Sequence, residues 1–211
     1  NEEWIPLGLS SSGQVSAELV FAGYGITAKD YGYDDYAGID VKDKIVLVLR
    51  YEPPPKDEKS PFQKLPRYSN HATLRAKAVN ARDHGALGMI LVDLNHSGDE
   101  RKELIPTRST LWRSGRSVIA AQVKRGLVEK WLDARAVSLK SLKETIDREE
   151  KPASKHLPGA QVALQDVGEL LDEGLQLDRH AVDVPHGESV SRRVADGDAV
   201  AVVVAALEVV V

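Results

Sequence analysis

The chain has 211 residues, with 28 Lys plus Arg against 32 Asp plus Glu and a net charge of −4. Apolar residues at 42% and charged residues at 28% describe a folded globular chain with enough length for a buried core, and exclude a disordered one. The mildly acidic balance lacks the basic field of a nucleic-acid binder. Zero cysteines exclude disulfides, thiolate zinc sites and a cysteine nucleophile, and no apolar run is long enough to span a membrane as a helix.

Taken in chain order, residues 1–14 read as a lead-in or linker, with a Gly/Ser-rich stretch from Gly8 to Gly13. Val15 to Phe21 alternate and run into Ala22-Gly23-Tyr24-Gly25, a strand followed by a glycine turn. Asp34 to Gly38 predict a short capped helical turn, with Asp34 as the cap. Ile45 to Leu49 form a continuous apolar run between Lys44 and Arg50, the pattern of a strand buried on both faces. Tyr51 to Tyr68 contain five prolines and read as a long, proline-stiffened loop. From Ser69 the spacing of Ala72, Ala76 and Val79 predicts a helix that Gly85 stops. Gly88 to Asp93 and Val118 to Val123 predict two further strands, separated by a polar excursion. Helices are expected over 126–132 and 141–149, and a closing strand over 161–164. Strands and helices in this order imply an α/β or α+β fold.

Composition changes near Asp166. Residues 167–211 contain no aromatic and no Lys, but 12 valines. Aromatics bury the most area per residue, so a tail without them is a poor core former. Two origins fit it: a diverged extension, or a change of reading frame in a GC-rich gene. The expected organisation is therefore a lead-in at 1–14, a domain at 15–165 and an atypical Val/Ala-rich tail at 166–211 outside the native fold. The chain begins at Asn1 without a recognisable leader, which suggests a fragment or processed form.

Three stretches carry a resemblance. They are Glu18 to Ile26 with Tyr33 to Val48, then Lys77 to Val92, and finally Leu157-Pro158-Gly159-Ala160-Gln161-Val162. Together they resemble the protease-associated (PA) domain in the form inserted in zinc aminopeptidases of metallopeptidase family twenty-eight. The resemblance implies a swivelling β/β/α fold, a small open barrel or sandwich with flanking helices. It also implies a non-catalytic module of an exported peptidase, acting as a lid or interaction surface. The expected partners are its own peptidase domain and a peptide or protein substrate. Zinc is expected only in that peptidase domain, with no cofactor in this chain. The alternatives are a piece of an active aminopeptidase whose catalytic domain lies elsewhere, and a freestanding protein-binding module.

The residues themselves name no catalytic group and no metal site. The family's His-x-Asp segment has no counterpart here, and no His-Glu-x-x-His is present. His180, Asp183 and His186 have a ligand-like spacing, but Pro185 breaks any helix that would bring them to one face. Asp30, Asp34 and Asp35 read better as turn caps than as calcium ligands. Arg108, Arg113 and Arg116 make a local basic cluster of the kind that faces water. Two sets of residues are singled out. Gly23, Gly25, Gly85 and Gly88 are structural glycines. Tyr51, Phe62 and Tyr68 mark the proline-rich loop as the candidate interaction surface, the rival reading being that the two tyrosines anchor its ends.

Overall fold

The structure, a computed structural model, describes residues 3–11, 13–63, 67–95, 103–105, 118–133, 136–166 and 202–205. One seven-stranded sheet runs in the order β1 (Trp4–Pro6), β7 (Ile119–Val123), β6 (Gly88–Val92), β5 (Ile45–Leu49), β2 (Gly13–Phe21), β8 (Lys155–Asp166) and β9 (Val202–Ala205). The central strands β7, β6, β5 and β2 are parallel, and β1 and β8 flank them antiparallel. A small hairpin of β3 (Thr27–Ala28) and β4 (Tyr33–Asp34) stands apart.

The unbroken apolar run of β5 is explained by burial on both faces. Ile45, Leu47 and Leu49 point to one core with Phe21, Ile90 and Val92, covered by Val128 and Leu132 of α2 (Arg125–Asp133) and Leu139 and Ile146 of α3 (Leu139–Glu149). Val46 and Val48 point the other way with Met89 and Leu91, covered by Ala78 and Ala81 of α1 (Leu74–Asp83). The period of two along each strand sorts these side chains. The sheet also curls into an open barrel. Leu164 on β8, three strands from β6 in the sheet order, packs against Gly88 at the start of β6.

Local chemistry sets the helix ends. Thr73 is extended, and its Oγ1 accepts from the Ala76 N–H at 3.2 Å, so α1 starts there. Ser138 caps α3 in the same way through the Ser141 N–H. The segment after Asp34 is a turn rather than a helical one. Asp34 Oδ1 accepts from the Tyr36 N–H at 3.1 Å, and the Asp34 carbonyl accepts from the Ala37 N–H.

Two boundaries differ from the sequence reading. The lead-in 1–14 supplies β1, whose Trp4 and Ile5 are buried, so it is part of the sheet and not a linker. Three residues are too few for a period to reveal a strand. At the other end, Val202–Ala205 pair antiparallel with Ala163–Asp166 as an edge strand, so part of the tail joins the sheet. Valine's β propensity suits that pairing without any aromatic.

Candidate interaction site

The four parallel strands end on one edge of the sheet, and the polar chemistry of the described residues gathers there. β2 leads into Ala22-Gly23-Tyr24-Gly25. Asp35 lies fully buried beneath this turn and holds it: Oδ2 accepts from the backbone N–H of Tyr24 and of Ile26, each at 3.0 Å, and Oδ1 accepts from the Tyr33 hydroxyl at 3.0 Å. Gly23 is required at the contact point. Its φ is +51°, and a Cβ there would lie 2.1 Å from Asp35 Oδ1.

From the other side α1 presents Lys77, also fully buried. Its ammonium donates to the carbonyls of Tyr24 and Tyr51, the latter at 2.6 Å, and Asn80 on the same helix donates to the Gly25 carbonyl at 3.0 Å. Burial pushes the Asp35 carboxyl up to about 7, against the pull of its hydrogen-bond donors and of Lys77; burial pushes Lys77 down. Burial also raises the phenols of Tyr24 and Tyr33, which stay neutral donors. Tyr24 donates across to Asp147 on α3 at 2.7 Å, and Asp147 pairs with Lys143.

The proline-rich loop leaves this edge from the end of β5. Arg50 pairs with the buried Asp93, after β6, at 2.9 Å, and its guanidinium lies 4.6 Å from the centre of the Tyr51 ring. Tyr51 stacks on Tyr68 at 4.7 Å, closing the base of the loop. Tyr51 has a φ of +69°, a left-handed conformation that bulky residues rarely adopt, and Lys77 holds its carbonyl. Buried Glu52 fixes the return of the chain, accepting from the backbone N–H of Gln63 and Ser69 and from the Ser69 hydroxyl. The tip is held by Glu150, just beyond α3, which accepts from the Lys56 N–H at 2.6 Å and the Ser60 hydroxyl at 2.5 Å. Pro55, Lys56, Asp57, Ser60, Phe62 and Arg67 line a cleft of about 380 Å³ in this loop.

The three aromatics singled out from sequence thus sit in different places. Tyr68 is 40% exposed and Tyr51 half-buried at the base, whereas Phe62 is 4% exposed and packs edge-on against Tyr33 at 5.0 Å. Of the glycines, Gly23, Gly25 and Gly85 have positive φ; Gly88 does not, and it is required by close packing alone. Sequence reading placed Asp35 as a turn cap without the distant turn that it holds, and missed the anchors Glu52, Lys77 and Glu150. Only Lys77 had a signal: it falls four residues before Ala81, on the buried face of α1.

Among the described residues no group of three or more His, Asp or Glu is placed to hold a metal ion. Asp34 is engaged with Thr27 and Tyr36, and Asp35 with the turn. His180, Asp183 and His186 lie outside the described residues, as do Arg108, Arg113 and Arg116. Among the described residues no helix is long and apolar enough to cross a membrane.

Residues 15–117 match the family model of the PA domain. That stretch is a PA domain. It takes in β2 to β6, hence the Asp35 turn, α1 and the proline-rich loop. No curated protein matches the chain. Among solved structures it is similar to an aminopeptidase from Aneurinibacillus sp. strain AM-1, at 20% identity and a TM-score of 0.40 over 78% of this chain and 32% of that one. It is similar to BSAP, a zinc aminopeptidase from Bacillus subtilis, at 17% identity and a TM-score of 0.35 over 77% and 30% of the two chains. A peptidase M28 precursor from Shewanella amazonensis SB2B follows at 16% identity and a TM-score of 0.33 over 79% and 35%. The chain thus spans about a third of the length of these proteins.

Proposed function

We propose that this PA domain is the non-catalytic module of an exported zinc aminopeptidase-like protein of peptidase family twenty-eight, and that the loop 51–68 is its contact surface for a peptide or for its own peptidase domain. One observation carries the reading. Gly13, which opens β2, is paired directly with Asp166, which ends β8. Residues 13–166 therefore begin and end side by side, the geometry that lets a segment be inserted in a host, while β1 and β9 extend the same sheet from outside that junction. The loop with its cleft sits at the opposite, carboxyl edge of the parallel strands, clear of that junction. The resemblance of residues 18–48 and 77–92 supplies the peptidase context. Zinc chemistry is assigned to the peptidase domain by the same resemblance.

The test is to assay the pure chain against a chromogenic aminoacyl amide, with and without added zinc, and to measure bound metal. The expected result is no hydrolysis and no stoichiometric zinc. Zinc-dependent hydrolysis lost on His180→Ala or His186→Ala overturns the non-catalytic reading.

A further inference from the structure

Four non-glycine residues among those described have a positive φ, and two of them, Tyr51 and Glu150, hold the proline-rich loop. Non-glycine residues in this region carry strain that persists only where surrounding contacts impose it, and such residues gather at ligand clamps and switches. The two ends of the loop are fixed differently. Its base is locked from inside the protein, with the Tyr51 carbonyl on buried Lys77 and both Ser69 donors on buried Glu52. Its tip is fixed from outside, by the single carboxylate of Glu150, whose bond to the Lys56 N–H is exposed to solvent.

Glu150 sits at the left-handed position that ends α3, with φ 50° and ψ 42°, and its N–H closes the helix on the Ile146 carbonyl. Glycine or asparagine usually fills this position, because other side chains strain it. Helix capping therefore gives no reason for a glutamate. The loop gives one: both carboxylate oxygens are used, Oε2 on the Lys56 N–H and Oε1 on the Ser60 hydroxyl. The Ser60 oxygen in turn accepts from the Phe62 N–H at 3.1 Å, so the clasp extends to the ring that floors the cleft.

We propose that Glu150 is a releasable clasp: it holds residues 55–60 down in the closed form that builds the cleft, and its release opens the loop about a base that stays locked. Glu150 is a positioning residue for the contact surface. The inference rests on the reading of this loop as that surface only for its consequence, not for its test.

The test uses the full chain and two variants, Glu150→Gly and Ser60→Ala. Glycine removes the carboxylate and relieves the left-handed backbone, so the helix end is kept. Trypsin cleavage between Lys59 and Ser60, followed by mass spectrometry, reads loop opening, because cleavage tracks the population of the open form. Two hydrogen bonds to a charged group are lost in Glu150→Gly, so cleavage should rise by about tenfold or more, and in every protein it should outpace cleavage after the buried Lys77 of α1, which needs wider unfolding. Ser60→Ala should raise it by a smaller factor. Unchanged cleavage in Glu150→Gly overturns the proposal, as does cleavage no faster after Lys59 than after Lys77, which would mean that the loop opens only when the whole domain unfolds. Binding of a fluorescent ten-residue peptide to the same proteins is measured separately. A clasp that opens while no form binds peptide leaves this inference standing and counts against the peptide reading alone.

Discussion

At Gly88 three neighbours set the cost of a side chain. A Cβ there would lie 2.8 Å from Leu164 Cδ1 and 3.3 Å from both the Ile119 carbonyl and Ile45 Cγ1. The backbone is ordinary strand, so the penalty is overpacking alone. Gly88→Val should lose about 1–3 kcal/mol. Lys59→Ala, exposed at the tip of the loop, should stay within about 0.5 kcal/mol. Thermal melts separate the two, and equal midpoints would mean that β8 does not fold over β6. The sequence shows Gly85 and Gly88 together between a helix and a strand, which suggests one reason for both. Gly85, at φ +83°, does need backbone freedom, but the partner that excludes a side chain at Gly88 is Leu164, far along the chain and invisible to local pattern.

The excursion between β2 and β5 is an element centred on one buried carboxylate, with Lys77 and Asn80 holding it from α1. Asp35 satisfies the N–H groups of Tyr24 and Ile26, and burial raises its folded pKa to about 7 from an unfolded value near 3.9. A raised carboxyl favours the protonated folded form. Its contribution is complete below the unfolded value and is lost as pH rises through about 7. Lys77, whose charge attracts Asp35, is itself pushed down by burial, so the upper end of that window belongs to the pair and not to either group alone. Asp35→Asn keeps an oxygen for the two N–H groups and has an amide that can donate to the Tyr33 oxygen, but it cannot titrate. The melting temperature of the parent, relative to Asp35→Asn, should fall as pH rises from about 4 to about 7. A difference that stays flat, or that rises, would show that Asp35 is ionised throughout. Elements like β5, β6 and α1 were legible because their periodicity is local. The anchors on Asp35 and Glu150 were not, because nothing in a turn aspartate or a helix-end glutamate records which distant N–H it meets.

Across the whole molecule the two ends of the chain carry unequal weight: the tail is the weaker, as its composition suggests, and the lead-in is the stronger, against its reading as a linker. Trp4, Ile5 and Leu7 are buried, and the segment is stitched to β7. The Leu7 N–H donates to the Ala120 carbonyl at 2.9 Å, Ser10 Oγ accepts from the Ala120 N–H at 2.9 Å, and the Glu3 carbonyl accepts from Lys124 at 2.8 Å. Each such apolar side chain contributes about 1.5–3 kcal/mol of burial. Losing three of them removes an amount comparable with the whole stability of a domain, about 5–15 kcal/mol. β9 touches the sheet otherwise: among the described residues it pairs with Ala163–Asp166 on the outer edge of β8 and approaches β1, while the inner edge of β8 stays paired with β2 as far as Gly13. Leu157, Ala160, Val162 and Leu164 belong to the main core cluster, so the pairing of β8 with β2 should hold them without β9. Deleting residues 167–211 should therefore shift the melting temperature by several degrees at most, since the four edge pairings between β9 and β8 are worth roughly 0.2–1 kcal/mol each. Deleting residues 1–9 should leave a chain that is unfolded or melts far lower. Circular dichroism melts of both truncations against the full chain decide it. A collapse on removal of the tail, with the N-terminal deletion well folded, would mean that the sheet is closed at β9 and that β1 is the dispensable edge.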